Sequence, residues 1–322
     1  MFDFAPLSAS HFIFLLLSFV VSYSAISLWR AHYAGIIVAI VATSAAVAAI
    51  PHESLRLGLI AAVILTVAIG RADEGSPLTA GAQLFWQLCI AGLLVAFGWN
   101  IPYVSHPFGE GVLSLGVFMI PLTVAWIVLM MNAINWLDGL DGLASSVAVV
   151  AFLALAAVSL LPATQDSTTL SLALIGAGSV LAFFLRNAPP AKIYLGTTGS
   201  WFIGIFLALT AMIGGGKVAT ATLVLALPLL DAAFVIAARL LARQRPWIGD
   251  RKHLHYRLAA LGWSPRQIVF AAALFSALLG VIAVTTQTQQ KIWALGIVAL
   301  FLLVTILTLS YATYLREKIA HR

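Results

Sequence analysis

Residues 113–161 read LSLGVFMIPLTVAWIVLMMNAINWLDGLDGLASSVAVVAFLALAAVSLL. Two uncharged apolar stretches enclose one polar segment, Asn132 to Gly142. Each stretch is close to the ~20 residues that carry a helix across a bilayer. Neither has the one-sided apolar stripe of a helix half-buried in a soluble domain; the apolar residues run all the way round. The rest of the chain repeats the theme. Of its 322 residues, 62% are hydrophobic and 9% charged, and its mean hydropathy is +1.06. A soluble domain carries about 25% charged residues, so this chain cannot cover a water-soluble surface. The expected fold class is an all-α integral membrane protein, with residues 1–322 forming a single polytopic unit.

Outward from that stretch, the same criterion marks eleven spans, near 11–29, 34–50, 55–70, 82–98, 113–131, 143–161, 169–185, 200–213, 218–238, 267–285 and 293–314. The third and eighth are short. A signal peptide would begin with basic residues and end in a small-residue cleavage site; the first block has neither and reads as a permanent span. Fourteen of the 17 Lys and Arg residues fall in one alternating set of loops, while Arg56, Lys217 and Lys291 fall in the other. Cytoplasmic loops hold the excess of basic residues, which places the N-terminus outside and the C-terminus inside. The formal charge of +6 therefore reads as a topology signal. Nucleic acid would need a clustered, soluble basic face, and none is present. Cys89 is the single cysteine and reads as a small apolar residue, which excludes a disulfide framework or a cysteine metal site.

This orientation gathers the polar sequence into four cytoplasmic segments, about 71–81, 132–142, 186–199 and 239–266. In the first, the adjacent carboxylates Asp73 and Glu74 can hold a metal or accept a proton, although loop acids are commonly only solvated. In the second, Asn132, Asn135, Asp138 and Asp141 recur every three residues, a slowly winding polar stripe if the segment is helical. Two carboxylates and two carboxamides suit an oxygen-coordinated Mg²⁺ or the edges of a nucleotide; a solvated helix end is the plain alternative. In the third, Lys192 to Ser200 offers a glycine-rich turn (Gly196, Gly199) able to cradle phosphate on backbone N–H groups, without the G-x-x-x-x-G-K-[ST] pattern of a P-loop. In the fourth, His253 and His255 stand among Arg251, Lys252 and Arg257. That is a cationic cluster for phosphate or lipid headgroups, with no further ligand at zinc spacing. Outside, Trp99 to Gly111 is long enough for a small hairpin. Asp231 lies within the ninth span, where a carboxylate is costly; it faces either the site or a neighbouring helix.

In this order and on this side, the segments resemble the polyprenyl-phosphate N-acetylhexosamine-1-phosphate transferase family, the WecA/MraY group. Asn132 to Leu143 matches its N-x-x-N-x-x-D-G-x-D-G-L motif at every defined position. Asn187 to Gly204 is similar to the segment around its P-P-A-K-I-[FY]-[LM]-G-D-[TS]-G-S motif. His253 to Leu258 resembles the H-[IL]-H-H-R-L motif of the WecA-like branch, and Asp73-Glu74 takes the place of the family's Asp-Asp pair. The resemblance runs from about residue 55 to residue 270. It implies attack of polyprenyl phosphate on the β-phosphorus of a UDP-N-acetylhexosamine, releasing UMP and initiating a cell-envelope glycan. It also implies Mg²⁺, with Mn²⁺ as an alternative, and a place in the bacterial inner (plasma) membrane with the site facing the cytoplasm. Monomer and homodimer both remain open. By position, Asp73, Glu74, Asp138 and Asp141 would be catalytic, with Asp73, Asp141 and, weakly, Thr197 at the metal. Asn132, Asn135, Asn187, Lys192 and Tyr194 would meet the nucleotide sugar, Asn187 and Tyr194 beside the uracil. His253, His255 and Arg257 would grip the diphosphate or the sugar.

Four departures accompany the match. Thr197 stands where the family motif has its metal-binding aspartate, Glu74 replaces the second acid of the pair, and Tyr256 replaces the last histidine of its motif. The basic, glycine-rich segment expected between the first two spans is reduced to Arg30-Ala-His-Tyr-Ala-Gly35. A neutral hydroxyl is a far weaker Mg²⁺ ligand than a carboxylate. A non-catalytic relative that binds lipid phosphate or nucleotide sugar is therefore the alternative. A secondary transporter would show internal repeats and midplane polar residues at broken helices; no repeat is evident, and Asp231 is the one carboxylate within an expected span.

Overall fold

The computed structural model describes residues 8–28, 34–106, 111–213, 217–244 and 253–320, with backbone alone at residue 310 and at 312–320. Arg30, Arg245, Asp250, Arg251, Lys252 and Arg322, which the sequence placed in cytoplasmic segments, lie outside the described residues. The described chain is helical throughout except for one hairpin. The helices are α1 (Ala9–Leu28), α2 (Ala34–Ala49), α3 (Glu53–Gly75), α4 (Ala80–Ala96), α5 (Met119–Leu137), α6 (Leu143–Val158) and α7 (Ser167–Asn187). They continue with α8 (Gly196–Met212), α9 (Val218–Val224), α10 (Ala226–Leu241), α11 (Leu254–Ala260), α12 (Pro265–Thr285) and α13 (Thr288–Ala320). Strands β1 (Tyr103–Ser105) and β2 (Val112–Ser114) pair antiparallel, with Tyr103 opposite Ser114, in the region where the sequence allowed a hairpin.

Six of these helices are long and apolar enough to cross a membrane, and the α9–α10 pair, bent by 73°, makes a seventh if counted as one span. Helices α2, α4, α6 and α8 are apolar but shorter. The chain is thus a nearly all-α protein with several membrane-crossing helices.

Helix α8 lies at the centre. Every residue from Thr198 to Met212 is buried, which explains why it is apolar on all faces and not amphipathic. Small residues let its neighbours close in. A Cβ on Gly204 would lie 2.6 Å from the Met130 carbonyl oxygen of α5, and one on Gly70 of α3 would lie 2.6 Å from the Thr198 Cα. Helix starts are fixed locally. Asp166 accepts the Thr169 N–H at the start of α7, and Ser264 with Gln267 forms a capping box at α12, with Pro265 in the first turn.

Several helices run past the limits set by hydropathy. Helix α3 continues through Arg71 to Gly75, α5 through Asn132 and Asn135 to Leu137, and α7 through Arg186 and Asn187. The apolar criterion stops at the edge of the hydrocarbon, whereas a helix ends only where its carbonyls find other donors. Consequently the Asn132–Asp141 stripe is not one helix: Asp138 is the C-cap of α5, and Asp141 lies in the turn that Gly142 (φ 76°) closes before α6.

Candidate active site

The C-terminal ends of α3, α5 and α7, the first turn of α8, and α11 meet at one end of the bundle. Asp73 is buried on the last turn of α3. Its Oδ1 accepts the Leu78 N–H at 2.8 Å and the Gln83 Nε2–H at 3.0 Å, and its Oδ2 accepts the Thr197 hydroxyl at 2.5 Å. Glu74 points to α8: Oε1 accepts the Thr198 N–H at 3.1 Å, and Oε2 pairs with Arg71 at 2.6 Å. A carboxylate of the protein itself thus sits on the first turn of α8, where N–H groups would otherwise attract phosphate. The glycine-rich turn is built to receive Glu74: Gly196 has φ 66°, and a Cβ there would run into the Glu74 carboxylate.

The second segment divides. Asn132 is turned into the bundle, donating to Gln87 Oε1 at 2.7 Å and receiving from Gln87 Nε2 at 3.3 Å. Asn135 accepts the Ser200 hydroxyl at 2.9 Å. Asp141 accepts the Ala191 N–H at 2.9 Å, holding the loop that carries the cis Pro189-Pro190 bond. Asn187 is buried; its Oδ1 accepts from the Gly142 N–H and the Ser145 hydroxyl, and its Nδ2 donates to the Ile193 carbonyl. Lys192 and Tyr194 are exposed. Asn132, Asn187 and one oxygen of Asp141 are therefore engaged by the fold, and Lys192 and Tyr194 are not among the residues that line the cleft described next.

That cleft, of about 320 Å³, is lined by Asn135, Trp136, Asp138, Thr197, His253 and Tyr256, among others. The His253 ring stacks on Trp136 (6.5 Å, 24°) and on His255 (6.0 Å, 7°). Gly139 leaves room for the Tyr256 hydroxyl and His255 Nε2, which a Cβ would meet at 2.8 and 3.1 Å. Burial, reinforced by Asp141 and Glu74, pushes the Asp138 carboxyl up to about 8. Burial pushes His255 down to about 4; nearby Asp231 opposes the shift and His253 adds to it. His255 is accordingly neutral near pH 7. Arg257 lies on α11 beside it.

Behind α11 runs a second cavity of about 240 Å³, with Leu143, Leu227, Leu258, Ala272, Phe275 and Phe301 among its walls and Asp231, His255 and Thr305 among its polar members. Asp231 is bonded to His253 Nδ1 at 2.8 Å and accepts the Leu254 N–H at 2.9 Å. Asp231 thus makes a polar contact between α10 and the start of α11, and meets the cleft only through His253.

Among the described residues, no three His, Cys, Asp or Glu side chains stand together as ligands for a metal. The Asp138 carboxyl makes no hydrogen bond to a described group, its N–H alone bonding to the Asn135 carbonyl, and a cation beside it would offset the repulsion from Asp141 and Glu74. Mg²⁺ characteristically takes one or two protein carboxylates and completes its shell with water and substrate phosphate. Asp138, with Asp141 and Glu74 close enough to act on its carboxyl, fits an ion of that kind and not a protein cage.

Sequence reasoning passed over Gln83, Gln87 and Trp136. The glutamines had a signal: two carboxamides four residues apart on one face of an otherwise apolar helix. Trp136 sat inside a quoted motif, but its stacking on a histidine more than a hundred positions away leaves no trace in local sequence.

The sequence profile described as glycosyl transferase family 4 matches residues 56–215. A probable undecaprenyl-phosphate N-acetylglucosaminyl 1-phosphate transferase of Bacillus subtilis (strain 168) is 30% identical over 258 residues, 78% of this chain and 71% of the relative. This chain belongs to glycosyl transferase family 4. An undecaprenyl-phosphate alpha-N-acetylglucosaminyl 1-phosphate transferase of Yersinia pestis is 28% identical over 80% of this chain and 72% of its own. A phospho-N-acetylmuramoyl-pentapeptide-transferase of Clostridium perfringens (strain SM101 / Type A) is 30% identical over 67% of this chain and 66% of its own. The matched residues 56–215 include the Asp73, Asn135–Asp138 and Thr197 segments, and His253 lies beyond them.

Proposed function

We propose that this chain transfers N-acetylhexosamine-1-phosphate from a UDP-sugar to polyprenyl phosphate, releasing UMP at the cytoplasmic face of a bacterial inner membrane. One observation carries the reading: a polar cleft and an apolar cavity share the His253–Tyr256 segment as a common wall. A reaction between a water-soluble nucleotide sugar and a lipid needs that juxtaposition. The prenyl chain enters the apolar cavity between α10, α12 and α13, and the nucleotide sugar enters the polar cleft. The lipid phosphate oxygen forms a bond to the β-phosphorus as the bond from that phosphorus to the α–β bridging oxygen breaks, and UMP leaves.

Within this scheme Asn135 and Trp136 flank the nucleotide sugar, and His253 presents a ring nitrogen to the phosphates. Gln83, Leu78 and Thr197 hold Asp73 in one orientation. Positioning of this kind is a large part of phosphoryl-transfer catalysis. Asp138 and Asp73 would hold Mg²⁺ or Mn²⁺, which supplies neutralisation of the crowded phosphates. The topology that fits is eleven spans, with α2, α4, α6 and α8 and the bent α9–α10 pair each counted as one, the N-terminus outside and the C-terminus inside.

Thr197 favours a second reading. Its hydroxyl occupies one oxygen of Asp73, as in a relative that binds both ligands without turnover. Transfer of label from a UDP-[¹⁴C]N-acetylhexosamine into butanol-extractable undecaprenyl lipid separates the two. The transferase reading expects lipid-dependent label that falls at least 100-fold in Asp138→Asn. It also expects Ala272→Trp to raise the half-saturating lipid concentration about tenfold and leave that of the nucleotide sugar unchanged. Saturable binding of both ligands with no labelled lipid supports the second reading.

A further inference from the structure

We propose that Asp231 is a positioning residue, fixing the His253 ring so that Nε2, and not Nδ1, is the atom offered to substrate phosphate. The inference rests on the transferase reading and deepens it. Asp231 is buried on the second turn of α10, beyond the 73° bend that separates α9 from α10. Its two oxygens take donors from consecutive residues, Oδ2 from His253 Nδ1 at 2.8 Å and Oδ1 from the Leu254 N–H at 2.9 Å. One carboxylate therefore sets both the ring and the backbone that carries it.

The ring has little freedom left. Trp136 and His255 stack against it, nearly parallel, and a carboxylate accepts hydrogen bonds but donates none. A neutral His253 must then carry its proton on Nδ1, which leaves the Nε2 lone pair as the ring atom toward the cleft that holds Thr197 and Asp138. The position of Asp231 has a cost. It is the one carboxylate in a mostly apolar cavity wall, where an unpaired carboxylate is expensive; the paired histidine is what compensates it. The same carboxylate thus borders the cavity proposed for lipid and orients the group that meets the phosphate.

A purely structural role, as a cap on α11, would leave the ring tautomer irrelevant, and Asp231→Asn separates the two roles. The Asn Oδ1 still accepts the Leu254 N–H, but its NH₂ faces Nδ1 and pairs only with the tautomer that carries its proton on Nε2. Histidine-selective ¹⁵N spectra of the detergent-solubilised full chain, taken where the ring is neutral and assigned by loss of the signal in His253→Asn, should show the Nδ1–H tautomer. The opposite tautomer is expected in Asp231→Asn. In the transfer assay, Asp231→Asn should lower kcat about 100-fold, keep KM for the nucleotide sugar within about threefold, and be rescued at least tenfold in Asp231→Glu. An Nε2–H tautomer in the native chain, or an Asp231→Asn variant with kcat within threefold of native, overturns the inference. The tautomer measurement needs no turnover, so an inactive native chain would sink the transferase reading and leave the assignment of the ring to be decided by the spectra.

Discussion

The contact between Thr197 and Asp73 is the most consequential side-chain pair in the molecule. A hydroxyl can donate to a carboxylate and satisfy it without a metal, whereas a second carboxylate in its place would leave two negative charges within hydrogen-bond distance. Thr197→Asp should therefore lower the melting temperature by about 5 °C in EDTA, and millimolar Mg²⁺ should restore most of the loss while leaving the native chain almost unmoved. Differential scanning fluorimetry reads both arms; equal Mg²⁺ effects in the two proteins would show that position 197 does not face the cation. His255 gives a prediction in pH. Its folded value of about 4 lies below the ordinary ~6.5, so the folded state binds fewer protons than the unfolded one. The stability associated with the neutral ring is present above pH 6.5 and lost as pH falls toward 4. That loss is on the order of 2–3 kcal/mol and should be missing from His255→Phe, so the two melting curves diverge as pH drops from 6.5 to 4. Much at this scale was legible in advance. The motif spacing singled out Asp73, Asp138 and His253, because those types at those intervals are rare in apolar sequence. It also singled out Asn132, Asn187 and Asp141, yet these bond to Gln87, to the Gly142 turn and to the Ala191 N–H. Sequence marks a polar residue as needing a partner without saying whether that partner is substrate or protein.

At the scale of elements, the first turn of α8 shows how local geometry and site chemistry are joined. Gly196 adopts a left-handed conformation and Glu74 fills the space where its side chain would be. Gly196→Ala should cost about 2–3 kcal/mol, from the positive φ and from displacement of Glu74 off the Thr198 N–H. Glu74→Gln, which keeps an acceptor for that N–H and loses only the half-exposed Arg71 pair, should cost less than about 1 kcal/mol. Thermal unfolding of the two variants side by side tests the ordering. Helix positions were readable because each apolar block is bounded by Pro, Gly or charge. The bend between α9 and α10 was not, although Pro228 stands three residues beyond it. A proline weakens the ladder, but the direction and the 73° angle are set by packing against α5, α12 and α13, which are remote in sequence. Leu227, Pro228 and Asp231 of α10 line the apolar cavity just beyond that bend, so the least legible feature of the fold borders the proposed lipid site.

For the whole molecule, charge and architecture agree. Arg71, Arg186, Arg239 and Arg266 lie at the end that carries the cleft. Arg56, Lys217 and Lys291 lie at the other, bonded to the Ile50 carbonyl and the Thr169 and Thr220 hydroxyls. In a Cys89→Ala background, Val112→Cys on the hairpin should react with an impermeant maleimide on intact cells, and Lys192→Cys only after permeabilisation. The reverse pattern would invert the topology. On the proposed function the lipid would come from the membrane and the nucleotide from the cytoplasm, meeting at His253. The measurement that tests this most directly is UMP release by the purified native chain from UDP-N-acetylhexosamines, with Mg²⁺, in the presence and absence of undecaprenyl phosphate. UMP that appears only with the lipid, and that is lost in Asp138→Asn, is the expected result. No UMP from any UDP-N-acetylhexosamine, or release indifferent to the lipid, would contradict it.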